Sequence, residues 1–187
     1  MATIVHGFDW PDRVVVGAVG DPGSRTFYLQ ARSGNRVVSV SLEKEQSALL
    51  AEKIEEILDQ LMRSDGNPVS VPAVTPIELV DNDPLEQPVD AEFRTGVMSL
   101  GWDPSTAQVV IEAYPLVLVE GDAGNSSEME RIEVEPTEMM MVRIPVGTAR
   151  AFAQRTLEVV GAGRPICSDC GTPIDPEGHV HALPDDI

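Results

Sequence analysis

One stretch of this chain is written twice. Val19-Gly20-Asp21-Pro22-Gly23-Ser24-Arg25-Thr26-Phe27-Tyr28-Leu29-Gln30-Ala31 returns as Leu100-Gly101-Trp102-Asp103-Pro104-Ser105-Thr106-Ala107-Gln108-Val109-Val110-Ile111-Glu112-Ala113. Each copy runs from an apolar residue and a Gly through an Asp-Pro turn into an alternating strand that ends on a polar residue and Ala. Self-similarity of this kind is the mark of a repeated unit. The offset starts at 81 residues (Val16 to Val97, Gly20 to Gly101), becomes 82 after Trp102, and then jumps to 102. There Val38, Val40, Leu42, Leu50 and Ala51 fall on Met140, Val142, Ile144, Phe152 and Ala153. The second copy thus carries about 20 extra residues, and an insertion that preserves the pattern on both sides belongs in a loop.

The pattern predicts an α+β fold: an antiparallel β-meander followed by a helix, present in two copies, with a short zinc-knuckle-like tail. Residues 3–9 read as a short strand closed by Trp10-Pro11-Asp12, where Pro restricts its own φ and its neighbour's backbone. Strands follow at 13–20, 26–32 and 36–42, joined by short Gly-containing turns. Residues 43–63 form the first helix, with Leu50, Ile54, Ile57, Leu58 and Leu61 as its apolar stripe. In the second copy, 93–101, 108–114 and 138–145 read as strands, and 115–120 as a continuation of the middle one. A helix from about 146 to 160 turns Ala149, Phe152, Ala153, Thr156, Leu157 and Val160 inward, and Gly161-Ala162-Gly163 stops it. The units are therefore 1–64 for the first βββα repeat, 65–91 for a Pro-rich acidic linker, 92–163 for the second repeat with an inserted loop at 115–137, and 164–187 for the tail. Four prolines between Ser64 and Gln87 exclude regular structure over most of the linker, leaving one short strand near Ile77.

Charge narrows the function. Thirteen Lys and Arg against 31 Asp and Glu give a formal charge of −18, which repels phosphate backbones and disfavours non-specific nucleic-acid binding. No apolar run approaches the roughly 20 residues of a membrane-spanning helix, and the first residues lack the basic and apolar regions of a secretion signal. The expected compartment is the cytoplasm, where two cysteines at C-x-x-C spacing favour metal or redox chemistry over a structural disulfide.

That pair opens the one stretch with evident chemistry, Cys167-Ser168-Asp169-Cys170-Gly171-Thr172-Pro173-Ile174-Asp175-Pro176-Glu177-Gly178-His179-Val180-His181. A C-x-x-C-G turn lets two thiolates reach one tetrahedral Zn²⁺. Cys167, Cys170 and His181 are the expected ligands and His179 the nearest fourth, with Asp169, Asp175 or another chain's residue as substitutes if its backbone does not bend suitably. Pro165 and Pro173 exclude the helix that a thioredoxin-like redox pair would head. The zinc is read as structural, because no H-E-x-x-H and no Glu base accompanies the ligands.

Other candidates have plainer readings. Gly17-x-x-Gly20 and Gly161-x-Gly163 lack the order and Lys of a phosphate loop. His6 as a general base is outweighed by an ordinary edge-strand histidine, and Met139-Met140-Met141 reads as core filling rather than a soft-metal site. The acids Glu128, Glu130, Glu133 and Glu135 read as a solvated face.

The tail from Arg164 to His179, together with the strand leading into Leu42-Glu43-Lys44-Glu45-Gln46, resembles an actinobacterial family of unknown function over nearly the whole chain. In that family the position of His181 is usually a Cys followed by Pro-Arg. The resemblance implies a trio with a histidine phosphatase-like and a lipid-kinase-like protein, and thus a shared pathway and a protein partner. The expected function is a zinc-stabilised adaptor or interaction protein, more a binder than an enzyme. The alternatives are a hydrolase or transferase acting between the repeats, and a single-stranded nucleic-acid module suggested by the likeness of meander-then-helix units to the whirly type of architecture.

Overall fold

Hydrophobic alternation, short Gly turns and two amphipathic stretches produce a mixed α+β fold of seven strands and two helices. The structure is a computed structural model and describes residues 3–117, 136–163, 167–168, 174 and 178. The strands are β1 (Ile4–Asp9), β2 (Arg13–Val19), β3 (Thr26–Ser33), β4 (Arg36–Leu42), β5 (Ala91–Asp103), β6 (Gln108–Pro115) and β7 (Glu138–Pro145). Helices α1 (Lys44–Arg63) and α2 (Val146–Gly161) follow β4 and β7. All strands join one sheet in the order β1-β7-β6-β5-β4-β3-β2. Within β2–β4 and β5–β7 the pairings are antiparallel, whereas β4 with β5 and β1 with β7 are parallel.

The two βββα runs share their registers. Leu29 pairs with Val40 and Ala31 with Val38; in the second run Ile111 pairs with Val142 and Ala113 with Met140. Those partners sit at the expected offsets of 82 and 102. The first strand corrects the sequence reading. Val16 pairs with Leu29 and Leu100 with Ile111, so the counterpart of Val16 is Leu100, 84 residues on. Gly101 therefore answers Gly17, not Gly20. Gly20 occupies the β2–β3 turn at φ +106, where a Cβ would lie 3.1 Å from the Ser24 carbonyl oxygen, while Gly101 sits inside β5 with open space around it. The apparent match of Gly20 with Gly101 came from two turns of unequal length. By the same rule β5 answers β1 and β2 together. Its first residues pair with β4 as β1 pairs with β7, and its last pair with β6 as β2 pairs with β3. A register shift between Thr95 and Met98 stands where the first unit breaks at Trp10-Pro11-Asp12.

This connectivity forces the sheet to roll up. Flat, seven strands would put β1 and β2 about 29 Å apart, yet the three residues joining them reach at most about 14 Å. The joining residues extend the ladder at each end, the Trp10 N–H donating to Arg143 O beside β7 (3.1 Å) and the Asp12 N–H donating to Arg32 O beside β3 (2.8 Å). Arg36 of β4 crosses to β1, donating to Gly7 O at 2.8 Å and lying 4.4 Å over the Phe8 ring.

Both helices pack against each other and on one face of the sheet. Val16, Leu29, Val40, Ile111 and Val142 form a single core with Leu50, Ile54 and Leu58 of α1 and Ala149, Phe152 and Ala153 of α2. Gln46 anchors the start of α1, its Oε1 accepting from the Glu43 N–H (2.8 Å) while its Nε2 donates to Gly96 O (2.9 Å). The inward face of α2 differs from expectation at two positions: Leu157 is 38% exposed and Arg150 only 4%. The short strand expected near Ile77 is a 3₁₀ turn, Ile77–Leu79, entered from Pro76. Strand β6 ends at Pro115 instead of running on to residue 120; residues 118–120 lie outside the described residues. Among the described residues no helix is long and apolar enough to cross a membrane.

Candidate functional site

Of the expected zinc ligands only Cys167 falls among the described residues, where it is buried, 8% exposed. Cys170, His179 and His181 lie outside them.

The described residues gather their polar chemistry elsewhere, around residues 64–90. This linker is a strap pinned across the molecule by three arginines. Arg13 on β2 donates Nε to Asp81 Oδ2 (2.6 Å), Nη2 to Asp83 O (2.9 Å) and Nη1 to Pro84 O (3.0 Å). Arg155 on α2 reaches the same carboxylate through Nη1 (3.0 Å), and its Nε donates to Val16 O of edge strand β2 (3.2 Å). Arg150 donates Nε to Pro72 O (3.0 Å) and pairs with Glu55 and Asp59 of α1. Leu85 is buried over Gly17, where even a methyl group would sit 2.6 Å from its Cγ. Beside it the buried Gln30 grips the backbone of one residue from both sides: Nε2 donates to Glu86 O (3.1 Å) and Oε1 accepts from the Glu86 N–H (2.8 Å).

The clasp shapes local charge. The Arg13 hydrogen bond holds the Asp81 carboxyl below the usual carboxylate range, and the same bond raises the Arg13 guanidinium. Burial lowers Arg155, with Asp81 opposing. A cleft of about 570 Å³ opens there, taking Arg13 from the first unit, Asp81 and Asp83 from the strap, and Thr148 and Arg155 from the second. Its guanidiniums already serve the strap.

The Asp81 contribution has a definite sign. Its folded pKa is depressed, so its stabilisation is complete above the unfolded value near pH 4 and fades as pH falls through the lower folded value. Asp81→Asn is expected to cost about 1–2 kcal/mol at pH 7, to speed proteolysis within residues 64–90, and to flatten the acid limb of a Tm-against-pH profile. An unchanged acid limb would show that the clasp carries no such linkage.

A second feature is apolar. Between α1 and β5 a groove of about 260 Å³ is lined by Leu49, Leu50, Met98 and Leu100, with Gln46 and Lys53 at its rim. Leu49 is 55% exposed.

A family model described as a protein of unknown function, DUF3090, matches residues 6–181. The chain belongs to the DUF3090 family. The match takes in every strand and helix from His6 of β1 onward, the strap, and the tail as far as His181. No curated protein and no solved structure matches the chain.

Within this DUF3090 chain His6 is not a bare edge-strand histidine. Its Nε2 lies 3.0 Å from Glu138 Oε2 on β7, and Glu92 of β5 approaches the same point. Sequence reasoning passed over this histidine because its partners come from strands far along the chain. The three methionines behave as core filling predicts for two of them, Met139 and Met140 being buried.

Proposed function

We propose that two βββα units, copies of one module, form a non-enzymatic docking scaffold of the DUF3090 family, with Zn²⁺ on Cys167, Cys170, His181 and His179 holding the tail. The observation that supports docking is the groove between α1 and β5. An aliphatic lining that includes the exposed Leu49 suits an apolar side chain from another protein, and desolvating such surface drives association. The partner is a basic protein, since a chain of charge −18 accelerates and selects an oppositely charged one. The histidine phosphatase-like and kinase-like proteins implied by the family resemblance are the first to test.

The experiment measures binding of each purified protein to the full-length chain. Leu49→Asp and Leu49→Lys, at an exposed position, are expected to weaken binding by about tenfold or more with unchanged circular dichroism, a buried anchor being worth at least about 1.4 kcal/mol. Equal binding by wild type and both variants would remove the groove from the account. Metal analysis of the same preparations is expected to give tail-bound zinc that is lost in Cys170→Ser and His181→Ala; full zinc in both would defeat the ligand assignment.

The polar cleft supports a second reading, a hydrolase or transferase working between the units. An anionic substrate there would compete with Asp81 for Arg13 and Arg155, so turnover by this route would rise in Asp81→Asn, whereas the docking reading expects none in either form.

A further inference from the structure

We propose that His6, Glu92 and Glu138 bind one divalent transition-metal ion, a site separate from the tail. The three side chains each offer a donor atom, and these atoms all lie within 4.8 Å of one another. A metal about 2.1 Å from each donor needs them roughly 3 Å apart, and His6 Nε2 and Glu138 Oε2 are already at 3.0 Å. Only the Glu92 carboxylate has to swing inward. It is exposed and has a rotatable side chain.

The convergence is long-range. His6 lies on β1, Glu138 on β7 and Glu92 on β5, and β5 shares no ladder with either of the others. The strand order brings them together, β1 lying beside β7 and only β6 standing between β7 and β5. The His6 side chain is 15% exposed and that of Glu138 26%, so both are partly desolvated before any ion arrives. The His6–Glu138 pair explains itself as a hydrogen bond, but it does not explain a second carboxylate brought up to the first. Among the described residues no Lys or Arg pairs with Glu92 or Glu138, and the neighbouring Arg94 is engaged by Glu43. Two carboxylates with only an imidazole between them repel, and a dication removes that repulsion.

One imidazole nitrogen and two carboxylate oxygens suit Mn²⁺, Fe²⁺ or Zn²⁺ rather than a thiolate-seeking ion. Three protein ligands leave positions for water. The ion would tie β1 and β7 to β5 past the intervening β6.

Mn²⁺ is the probe, because thiolate sites such as the tail hold it poorly. Electron paramagnetic resonance titration of the full-length chain, at 0.15 M salt with excess Mg²⁺ to suppress loose binding to surface acids, is expected to show one bound Mn²⁺. Pulsed measurement is expected to show imidazole ¹⁴N coupling to it. Cys167→Ser/Cys170→Ser should bind equally, while Glu92→Gln and Glu138→Gln should each lose about tenfold or more in affinity and His6→Ala should lose the ¹⁴N coupling. Glu92→Gln alters an exposed side chain and keeps the test sound if His6→Ala folds poorly. Absence of a bound ion in wild type, absence of ¹⁴N coupling, or equal affinity in both Gln variants would each overturn the proposal.

Discussion

Phe152→Ala is expected to cost about 3–5 kcal/mol and to lower Tm by about 10 °C. The ring is 2% exposed and sits where α2 meets both the sheet and α1, so truncation leaves a cavity that two helices and a β-sheet cannot jointly collapse. The matched control is Leu157→Ala, five residues on. Leu157 has the hydrophobicity of a core residue but is 38% exposed, and its removal is expected to cost under about 1 kcal/mol. Urea unfolding of the pair checks the orientation of α2: comparable losses would mean that the helix is rotated from the face described above.

Arg150→Met carries the second large effect, about 2–4 kcal/mol. Arg150 is the one charged residue among the buried ones described, and it joins α2 to Glu55 and Asp59 of α1 and to Pro72 of the strap. Methionine keeps the aliphatic bulk and removes the guanidinium, so the loss reports the polar contacts rather than a void. Because the guanidinium is buried, the loss is expected to change little between 0.05 and 0.5 M salt, whereas the exposed Lys53–Glu56 pair is screened. A double-mutant cycle with Glu55→Gln should return a coupling of about 1–3 kcal/mol. Independent, additive losses would mean that Arg150 stabilises the protein through packing alone.

The contrast between Phe152 and Arg150 also shows what kind of information the sequence holds. Periodicity located α2 and put Phe152 inward, because burial of apolar stripes is a local property of a helix. It could not place Arg150, whose acceptors are 78 to 95 residues away. The meander β2–β4 was legible from alternation and tight turns, and so were β7 and both helices. The pairing of Gly20 with Gly101 failed for a related reason: similarity between loops says nothing about which residues face each other across a ladder, and that is set by turn length. The strap was legible as irregular from its prolines but not as fixed, since Arg13, Gln30 and Arg155 gave no sign of where they would donate. His6 is the extreme case. A single histidine in a short N-terminal strand has no distinguishing pattern, and its neighbours Glu92 and Glu138 emerge only from the strand order of the sheet.

The parallel ladder between β1 and β7 sets an order of events. Ile4 pairs with Glu138, and Asp9 with Arg143. On a ribosome the first strand leaves the exit tunnel long before its neighbour has been translated, and contacts of such sequence separation are slow to form. Residues 4–9 are therefore made first and seated last. Until then the nascent protein holds an open sheet, with Phe8, buried in the finished fold, waiting in solvent, which is the interval in which chaperone engagement or intermolecular pairing competes with closure.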